Sequence, residues 1–137
     1  MADRPSLGLI ICGDRCAQDS DWGAAINNAL IKYRKHYDIQ IIYHGDCRGI
    51  DRISGAVGKR LSIPVVPVPA DWNLGMKAGP MRNKLMLEKL MESKVDCKEV
   101  VAFHPNIDSS KGTKHMANLA LGAGIKVSVY TRPYELV

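Results

Sequence analysis

The sequence predicts an α/β protein with a Rossmann-like three-layer fold: a parallel sheet of about five strands with helices on both faces. Short apolar runs alternate along the chain with longer segments in which apolar residues recur every three or four positions. Turns containing glycine follow several of the apolar runs. The length of 137 residues suits one domain, so we expect a single domain over residues 1–137.

Composition excludes several classes of protein. Hydrophobic residues make up 46% and charged residues 24% of the chain, which is typical of a globular protein and not of a disordered or fibrous one. No apolar run approaches the roughly 18 residues of a membrane span. The N-terminal apolar run lacks the basic segment and the cleavage site of a signal peptide. We therefore expect a cytoplasmic protein with no membrane association.

The four cysteines do not form a zinc-binding pattern, because one pair spaced by three residues is not a zinc framework. We expect free thiols in a reducing compartment, with no metal and no cofactor. The cysteines are Cys12, Cys16, Cys47 and Cys97.

The first element is a buried strand at residues 7–12, an apolar run that ends at Gly13. The next is a helix at about residues 21–36, where Trp22, Ile26 and Leu30 recur on one face. The residues suited to cap the start of this helix are Asp19, Ser20 and Asp21.

A second strand is predicted at residues 39–43 and a short helix at 50–61. The third strand, residues 64–68, contains Pro64 and Pro67. Proline cannot donate a ladder hydrogen bond, so this strand is predicted at an edge of the sheet.

The second half begins with a loop at residues 69–80, longer than the usual connection between a strand and a helix. A helix follows at 81–93 with Pro80 in its first turn. A strand at 100–103, a helix at 111–121 ended by Gly122 or Gly124, and a strand at 126–130 complete the prediction.

Ligand sites in such folds lie outside the carboxyl ends of the strands. The segments that follow the first two strands are rich in glycine and arginine, and glycine allows the backbone to approach a ligand closely. The candidate ligand-binding residues in these segments are Gly13, Asp14, Arg15, Gly45, Arg48, Gly49 and Asp51.

Two later segments open helices and are candidates for anion binding. Lys111, Gly112 and Thr113 begin one helix, although simple N-capping by a preceding serine, Ser109 or Ser110, is the alternative. In the other segment, the candidates are Gly79, Arg82 and Asn83. Arg82 is predicted at the positive end of its helix, where a cation needs an anionic neighbour; the alternative is an exposed arginine.

The long loop carries Asp71 and Trp72. Trp72 either stacks on a nucleobase or anchors the loop. Each of four aspartates, Asp14, Asp46, Asp51 and Asp71, is able to bind a ribose hydroxyl or act as a general base. For Asp51, capping of its helix and pairing with Arg52 are the alternatives.

The histidines near the same edge, His44, His104 and His115, match no metal spacing. They are interpreted as surface or supporting residues.

Net charge points to an anionic partner. The chain has 19 Lys and Arg against 14 Asp and Glu, a formal net charge of +5. This balance suits a phosphorylated small molecule or a nucleic acid.

In order along nearly the whole chain, the motifs resemble those of the SLOG superfamily, and within it the YspA/YpsA-related group. The combination of Ala-Asp-Trp with Ala-Gly-Pro-x-Arg-Asn is the specific part. The segments that carry the resemblance are Gly13-Asp14-Arg15, Gly45-Asp46-Cys47-Arg48-Gly49-Ile50-Asp51, Pro69-Ala70-Asp71-Trp72, Gly75, Ala78-Gly79-Pro80-Met81-Arg82-Asn83 with Met86, and Gly112-Thr113 with Met116.

The resemblance implies a Rossmann-like fold and a nucleotide-related ligand. The superfamily includes the "lonely guy" nucleoside 5′-monophosphate phosphoribohydrolases, a DNA-processing protein and sensor domains. Lonely-guy enzymes carry Pro-Gly-Gly-x-Gly-Thr-x-x-Glu after the fourth strand, whereas here the paired glycines are missing and Met116 stands at the position of the catalytic glutamate. Arg82 matches the arginine of that family.

These residues and the resemblance support three hypotheses about function. The first is a domain that binds a nucleotide or nucleotide-derived ligand, as a sensor or processing domain. The second is an N-glycosidic hydrolase or transferase acting on nucleoside 5′-monophosphates, with Arg82 and Asp71 as candidate catalytic residues. The third is a nucleic-acid-binding module, which the low aromatic content of 6% disfavours.

Family analogy also implies a homo-oligomer. The apolar face of the helix in residues 81–91 either self-associates or packs on the sheet.

Overall fold

The computed structural model describes residues 3–133, which contain five strands and four α-helices. The strands are β1 (Ser6–Gly13), β2 (Asp38–His44), β3 (Val65–Pro67), β4 (Cys97–Phe103) and β5 (Lys126–Tyr130). The helices are α1 (Asp19–His36), α2 (Ile50–Arg60), α3 (Ala78–Glu92) and α4 (Lys111–Gly122). Short 3₁₀ turns lie at Trp72–Lys77 and Ile107–Ser109.

All five strands are parallel, and their order in the sheet is β3-β2-β1-β4-β5. The predicted α/β class and the parallel sheet of five strands are confirmed. The chain builds outward from β1 to β3 and then returns to place β4 on the other side of β1. The strand order therefore reverses between β1 and β4, which is where sheets of this kind form a crevice.

Two apolar clusters cover the two faces of the sheet. On one face, Leu9 of β1 packs in a cluster with Ile26 of α1 and Ile53 of α2. On the other, Ile10 of β1 packs with Met86 of α3 and shares its cluster with residues of α4. The sheet is thus the middle of three layers, because successive residues of a strand point to opposite faces.

The edge strands are β3 and β5. Pro67 lies in β3, so the edge position predicted from the prolines is confirmed. Near the β5 edge the buried carboxylate of Glu99 accepts hydrogen bonds from the hydroxyl groups of Tyr33 and Ser128. These bonds satisfy a charge that would be costly to bury alone.

Some element boundaries differ from the prediction. Helix α1 begins at Asp19 with Gln18 as its N-cap and no capping side chain, so the predicted Asp or Ser cap is wrong. The amides of Asp21 and Trp22 both donate to the carbonyl of Gln18, which starts the helix earlier. Strand β4 extends back to Cys97 because that residue pairs with β1 at Leu7.

Helix α3 begins at Ala78, three residues before the predicted start, and Pro80 lies in its first turn as predicted. Gly124 has a φ of 76° just beyond α4, which makes it the glycine that ends that helix. No helix within residues 3–133 is long and apolar enough to cross a membrane. The four cysteines are unpaired thiols.

Gly13 is the position where β1 most needs a glycine. A Cβ there would collide with the backbone carbonyl of Phe103 and lie 2.8 Å from Ile50. We expect Gly13→Ala to lower the free energy of unfolding by about 3 kcal/mol, the upper end of the range for overpacked sites.

Denaturant unfolding measures this loss, and Gly122→Ala is the matched control. Nothing lies within 4 Å of a Cβ at Gly122, so that variant should be unchanged or stabilised by up to about 1 kcal/mol. Equal stability of the two variants would contradict the close approach of β1 and β4.

Candidate functional site

Three turns meet at the carboxyl edge of the sheet. The amide of Asp14 donates to the carbonyl of Phe103 at 3.0 Å, and the carbonyl of Asp14 accepts from the amide of Ile50 at 3.0 Å. Gly49 has a φ of 81°, and a Cβ there would collide with the backbone of Asp14 and Arg15. The turns after β1 and β2 are therefore packed backbone to backbone.

Between these turns and α4 lies a small cleft, called here the inner cleft, with a volume of about 50 Å³. It opens beside β1 and β4, where the strand order reverses. Its lining residues are Cys12, Gly13, Arg15, Cys47, Asp51, Arg82, Asn83, Met86, Ser110, Gly112 and Thr113.

Arg82 is the buried cation of the inner cleft, with 7% of its surface exposed. Its Nη1 donates to the carbonyl of Gly45 at 2.6 Å, and its Nε donates to Oδ1 of Asn83 at 3.0 Å. No carboxylate of residues 3–133 lies within 4.0 Å of its guanidinium. The buried carboxylate of Asp51 interacts with this charge but forms no ion pair with it, so an anion bound beside Arg82 would still be favourable.

The helix containing Arg82 begins at Ala78, so the predicted location of Arg82 at the first residues of that helix is wrong. Arg82 lies in the second turn, and its side chain reaches the turn after β2. The alternative of an exposed arginine is also wrong, because the residue is buried.

Asp51 is the buried carboxylate of the same cleft. Its Oδ2 accepts from the amides of Gly45 at 3.1 Å and Cys47 at 3.2 Å, while its Oδ1 has no hydrogen-bond partner among the described residues. Burial raises the pKa of Asp51 to about 6, although these two hydrogen bonds and the nearby charges of Arg82 and Arg15 act in the opposite direction.

Both alternatives raised for Asp51 are wrong. The N-cap of α2 is Gly49, with no capping side chain. Arg52 pairs with Asp46 at 3.5 Å instead; the Arg52 side chain is largely exposed and that of Asp46 is partly exposed. Asp51 instead accepts hydrogen bonds from two backbone amides of the turn after β2, and these bonds hold the turn in place.

Gly45 separates the two charged groups. A Cβ at this position would collide with Nη1 of Arg82 and lie 2.9 Å from Oδ2 of Asp51. The backbone of Gly45 donates to Asp51 and accepts from Arg82. The carboxylate and the guanidinium are thus neighbours that bind the same residue and form no ion pair with each other.

Helix α4 contributes the start of its backbone to the cleft. Oγ of Ser110 accepts from the amide of Thr113 at 3.2 Å, which confirms Ser110 as the N-cap. Oγ1 of Thr113 donates to the carbonyl of Gly13 at 3.3 Å. The amides of Lys111 and Gly112 donate to no group among residues 3–133 and remain available to an acceptor.

Asn83 connects α3 to α4. Its Nδ2 donates to the carbonyl of Gly112 at 3.2 Å and lies 3.1 Å from Nδ1 of His115. Because its Oδ1 accepts from Arg82, Asn83 fixes the guanidinium relative to the start of α4.

A second cavity, called here the outer cavity, adjoins the cleft and has a volume of about 240 Å³. The guanidinium of Arg15 lies over the ring of Trp72, 5.5 Å from its centroid. Trp72 is 56% exposed, so the interpretation as an anchor for the loop is wrong. The lining residues are Arg15, Trp72, Met76, Gly79, Pro80, Arg82, Asn83, Lys111, Gly112 and His115.

Most of the predicted ligand-binding residues line one of these cavities. Those that do are Gly13, Arg15, Asp51, Trp72, Gly79, Arg82, Asn83, Lys111, Gly112 and Thr113. Those that line neither are Asp14, Gly45, Arg48, Gly49 and Asp71.

The residues outside the cavities have local contacts that account for them. Oδ1 of Asp14 accepts from the amide of Cys16, and Oδ1 of Asp71 accepts from the amide of Asn73. Arg48 is exposed. The glycines at 45 and 49 let protein backbone approach protein, as described above.

Sequence reasoning missed Cys12, Cys47, Met86, Met76, Pro80 and His115 as lining residues. Cys47 lies within the recognised glycine turn, and its Sγ is 3.8 Å from Nη1 of Arg82. Burial and the nearby charge of Asp51 raise the pKa of Cys12, so its thiol is neutral. Met116 is buried in the core and lines neither cavity.

The prediction of surface or supporting histidines is wrong in its surface part for two of the three, and the supporting alternative stays open. His44 and His104 are buried at the ends of β2 and β4, and Nδ1 of each accepts the amide of the residue two positions later. Within residues 3–133 no three potential metal ligands are grouped.

Comparisons with profiles of known protein families, with characterised proteins and with solved structures find no match to this chain. The resemblance to the SLOG superfamily therefore stays a prediction from the motifs.

Asp51 makes stability depend on pH in a defined direction. Its pKa is about 6 in the folded chain against an ordinary value of 3.8. Between these values the folded state holds the extra proton, so its contribution to stability is present at acid pH and is lost as pH rises through 6. We expect a loss of about 3 kcal/mol across this range.

Urea unfolding of the wild type and Asp51→Asn between pH 4 and pH 7 isolates this contribution. The isosteric amide does not titrate, so stability should fall with rising pH more steeply in the wild type than in the variant. Asp71→Asn, at an exposed position, is the control. Parallel curves for wild type and Asp51→Asn would contradict the raised pKa.

Proposed function

We propose that this chain binds a nucleotide or nucleotide-derived ligand at the carboxyl edge of its sheet. The observation that carries the proposal is the buried guanidinium of Arg82, which has no carboxylate within 4.0 Å among the described residues and lines the inner cleft. A phosphate there pairs directly with this guanidinium, which the neighbouring carboxylate of Asp51 does not do.

The start of α4 supports a phosphate in the same place. The amides of Lys111 and Gly112 are unbonded among residues 3–133, and the positive end of the helix dipole favours an anion. Hydrogen bonds from a guanidinium to a phosphate are charge-assisted and stronger than neutral ones. Arg82 and α4 therefore form the phosphate side of the cleft.

Asp51 supports a hydroxyl group of the ligand. A phosphate beside this carboxylate is repelled, whereas its unbonded Oδ1 accepts a hydrogen bond from a sugar hydroxyl. Arg82 and the start of α4 suit the phosphate, and Asp51 suits the hydroxyl, so together they suit a phosphorylated sugar.

The outer cavity supports a base. The exposed ring of Trp72 provides a stacking surface, and stacking of an aromatic ring on a base is worth about 1–3 kcal/mol. The phosphate is thus assigned to Arg82, the sugar to Asp51 and the base to Trp72.

Homo-oligomerisation stays a prediction. In α3, Met86 and Leu90 pack in the core, while Met81, Leu85 and Met91 are each about half exposed. One side of the helix therefore packs on the sheet, and the other side presents an apolar surface that is available for self-association.

Calorimetric titration with nucleoside mono-, di- and triphosphates, NAD and ADP-ribose tests the proposal. Arg15→Gln alters an exposed residue and should not affect folding. It removes a charge that lines both cavities, and we expect affinity to fall about threefold to tenfold. Arg82→Gln should reduce affinity by more than tenfold, since it removes the buried charge.

Lys35→Gln is the control with the same change in net charge. Lys35 is exposed in the last turn of α1, away from the carboxyl edge. The proposal fails if none of these ligands binds, or if all three variants weaken binding equally.

A second candidate function is N-glycosidic hydrolysis of a nucleoside monophosphate, and Asp51 is the observation that favours it. Met116 stands where the lonely-guy enzymes have their catalytic glutamate, and it lies in the core. Asp51 instead provides a buried carboxylate that lines the cleft beside Arg82. A carboxylate stabilises the positive charge that develops on the sugar.

Release of free base from nucleoside monophosphates tests this activity. We expect Asp51→Asn to lower the rate at least about a hundredfold, as for loss of an acid–base group. Asp71→Asn should retain the rate, because Asp71 lines neither cavity. Ligand binding without base release in the wild type would exclude the hydrolase and leave the binding function.

A further inference from the structure

A third cavity, called here the edge cavity, lies between α2 and the edge strand β3. Its volume is about 270 Å³, and it shares no lining residue with the inner cleft or the outer cavity. Its lining residues are His44, Asp46, Arg52, Gly55, Ala56, Lys59, Val65 and Pro67. It is therefore a separate place for a ligand.

His44 lies at the base of the edge cavity and is 5% exposed. Its Nδ1 accepts from the amide of Asp46 at 3.0 Å, which requires the proton of the neutral ring to be on Nε2. Burial lowers the pKa of His44, and the charges of Lys59, Arg52 and Arg82 lower it further, against an opposite effect of Asp46. The ring is thus a neutral donor at Nε2.

This donor has no hydrogen-bond partner among residues 3–133, although the ring is more than nine-tenths buried. Its Nε2 faces Gly55, where a Cβ would lie only 2.7 Å away. Gly55 lets its helix pack closely against the ring. Within residues 3–133 no buried side-chain nitrogen or oxygen lacks a hydrogen-bond partner, so this unpartnered donor is one that solvent reaches. An anion bound in the cavity would replace the solvent at this donor and accept its hydrogen bond.

The walls of the edge cavity carry a positive balance of charge. Arg52 and Lys59 contribute two cations, and Asp46 contributes one carboxylate, which lies 3.5 Å from Arg52. Lys59 has no carboxylate within 4.0 Å in the described part of the chain. An acceptor that is also an anion satisfies both the ring N–H and this lysine.

We propose that the edge cavity is an accessory oxyanion-binding site, in which Nε2–H of His44 donates to a phosphate or carboxylate oxygen and Lys59 balances its charge. This site is independent of the proposed nucleotide site, because the two have no residue in common. The oxyanion belongs either to a phosphorylated molecule or to a carboxylic acid.

Titration with inorganic phosphate, monitored by NMR of the His44 ring, tests the proposal. Bound phosphate should shift the ring resonances in a saturable way and raise the pKa of His44, since an anion favours the charged imidazolium. Acetate is the second arm and distinguishes a site for any oxyanion from one that requires phosphate. Sodium chloride at the same ionic strength corrects for screening.

Lys59→Gln should weaken the phosphate response at His44 about threefold or more without affecting folding, since Lys59 is exposed. His44→Asn keeps an acceptor for the amide of Asp46 and removes the Nε2 donor. Phosphate should then no longer shift the amide resonances of Gly55 and Ala56. Lys35→Gln is the control for charge.

A saturable response of His44 to phosphate, to acetate or to both, weakened by Lys59→Gln and not by Lys35→Gln, supports the site. No saturable response up to tens of millimolar of either anion would overturn it, as would equal responses in both lysine variants. The edge cavity is tested by NMR of His44 and the nucleotide site by calorimetry. Failure of the edge-cavity proposal therefore leaves the nucleotide proposal unaffected.

Discussion

The close approach of backbone at the carboxyl edge is the constraint on which the rest of the site depends. Gly13 lets β1 lie against the carbonyl of Phe103, and Gly49 lets the turn after β2 lie against that of Asp14. A side chain at either position would separate strands or turns that must touch. The contact between these turns places the residues that follow them, Arg15 and Asp51, around one cleft.

Electrostatics then gives the cleft its chemical character. Arg82 and Asp51 are both buried, and both bind the backbone of Gly45 instead of each other. Direct pairing would neutralise them and leave nothing for a ligand to satisfy. Held apart, they present a cation and an acceptor to the same space, at a cost in stability that the surrounding hydrogen bonds reduce. The raised pKa of Asp51 expresses that cost.

The turn after β2 serves two cavities at once. His44 lies on the side of α2 and β3, and Asp51 lies on the side of the inner cleft. The amide of Asp46 binds His44 and the amide of Cys47 binds Asp51, so one short segment holds both buried groups. Asp46 itself has a positive φ of 56°, a conformation that aspartate tolerates better than most residues and that directs successive amides to the two sides.

The sequence by itself determined the fold class, because the alternation of apolar runs with helical periodicity is a local property that does not depend on how the elements pack. It also identified ten residues that line the cavities, since the carboxyl ends of parallel strands must share an edge. It did not distinguish Asp51 from Asp14 or Asp71, and it missed Cys12 and His115 as lining residues. Only the tertiary structure decided those roles, because burial and unsatisfied hydrogen-bonding groups arise from contacts between elements distant in the chain.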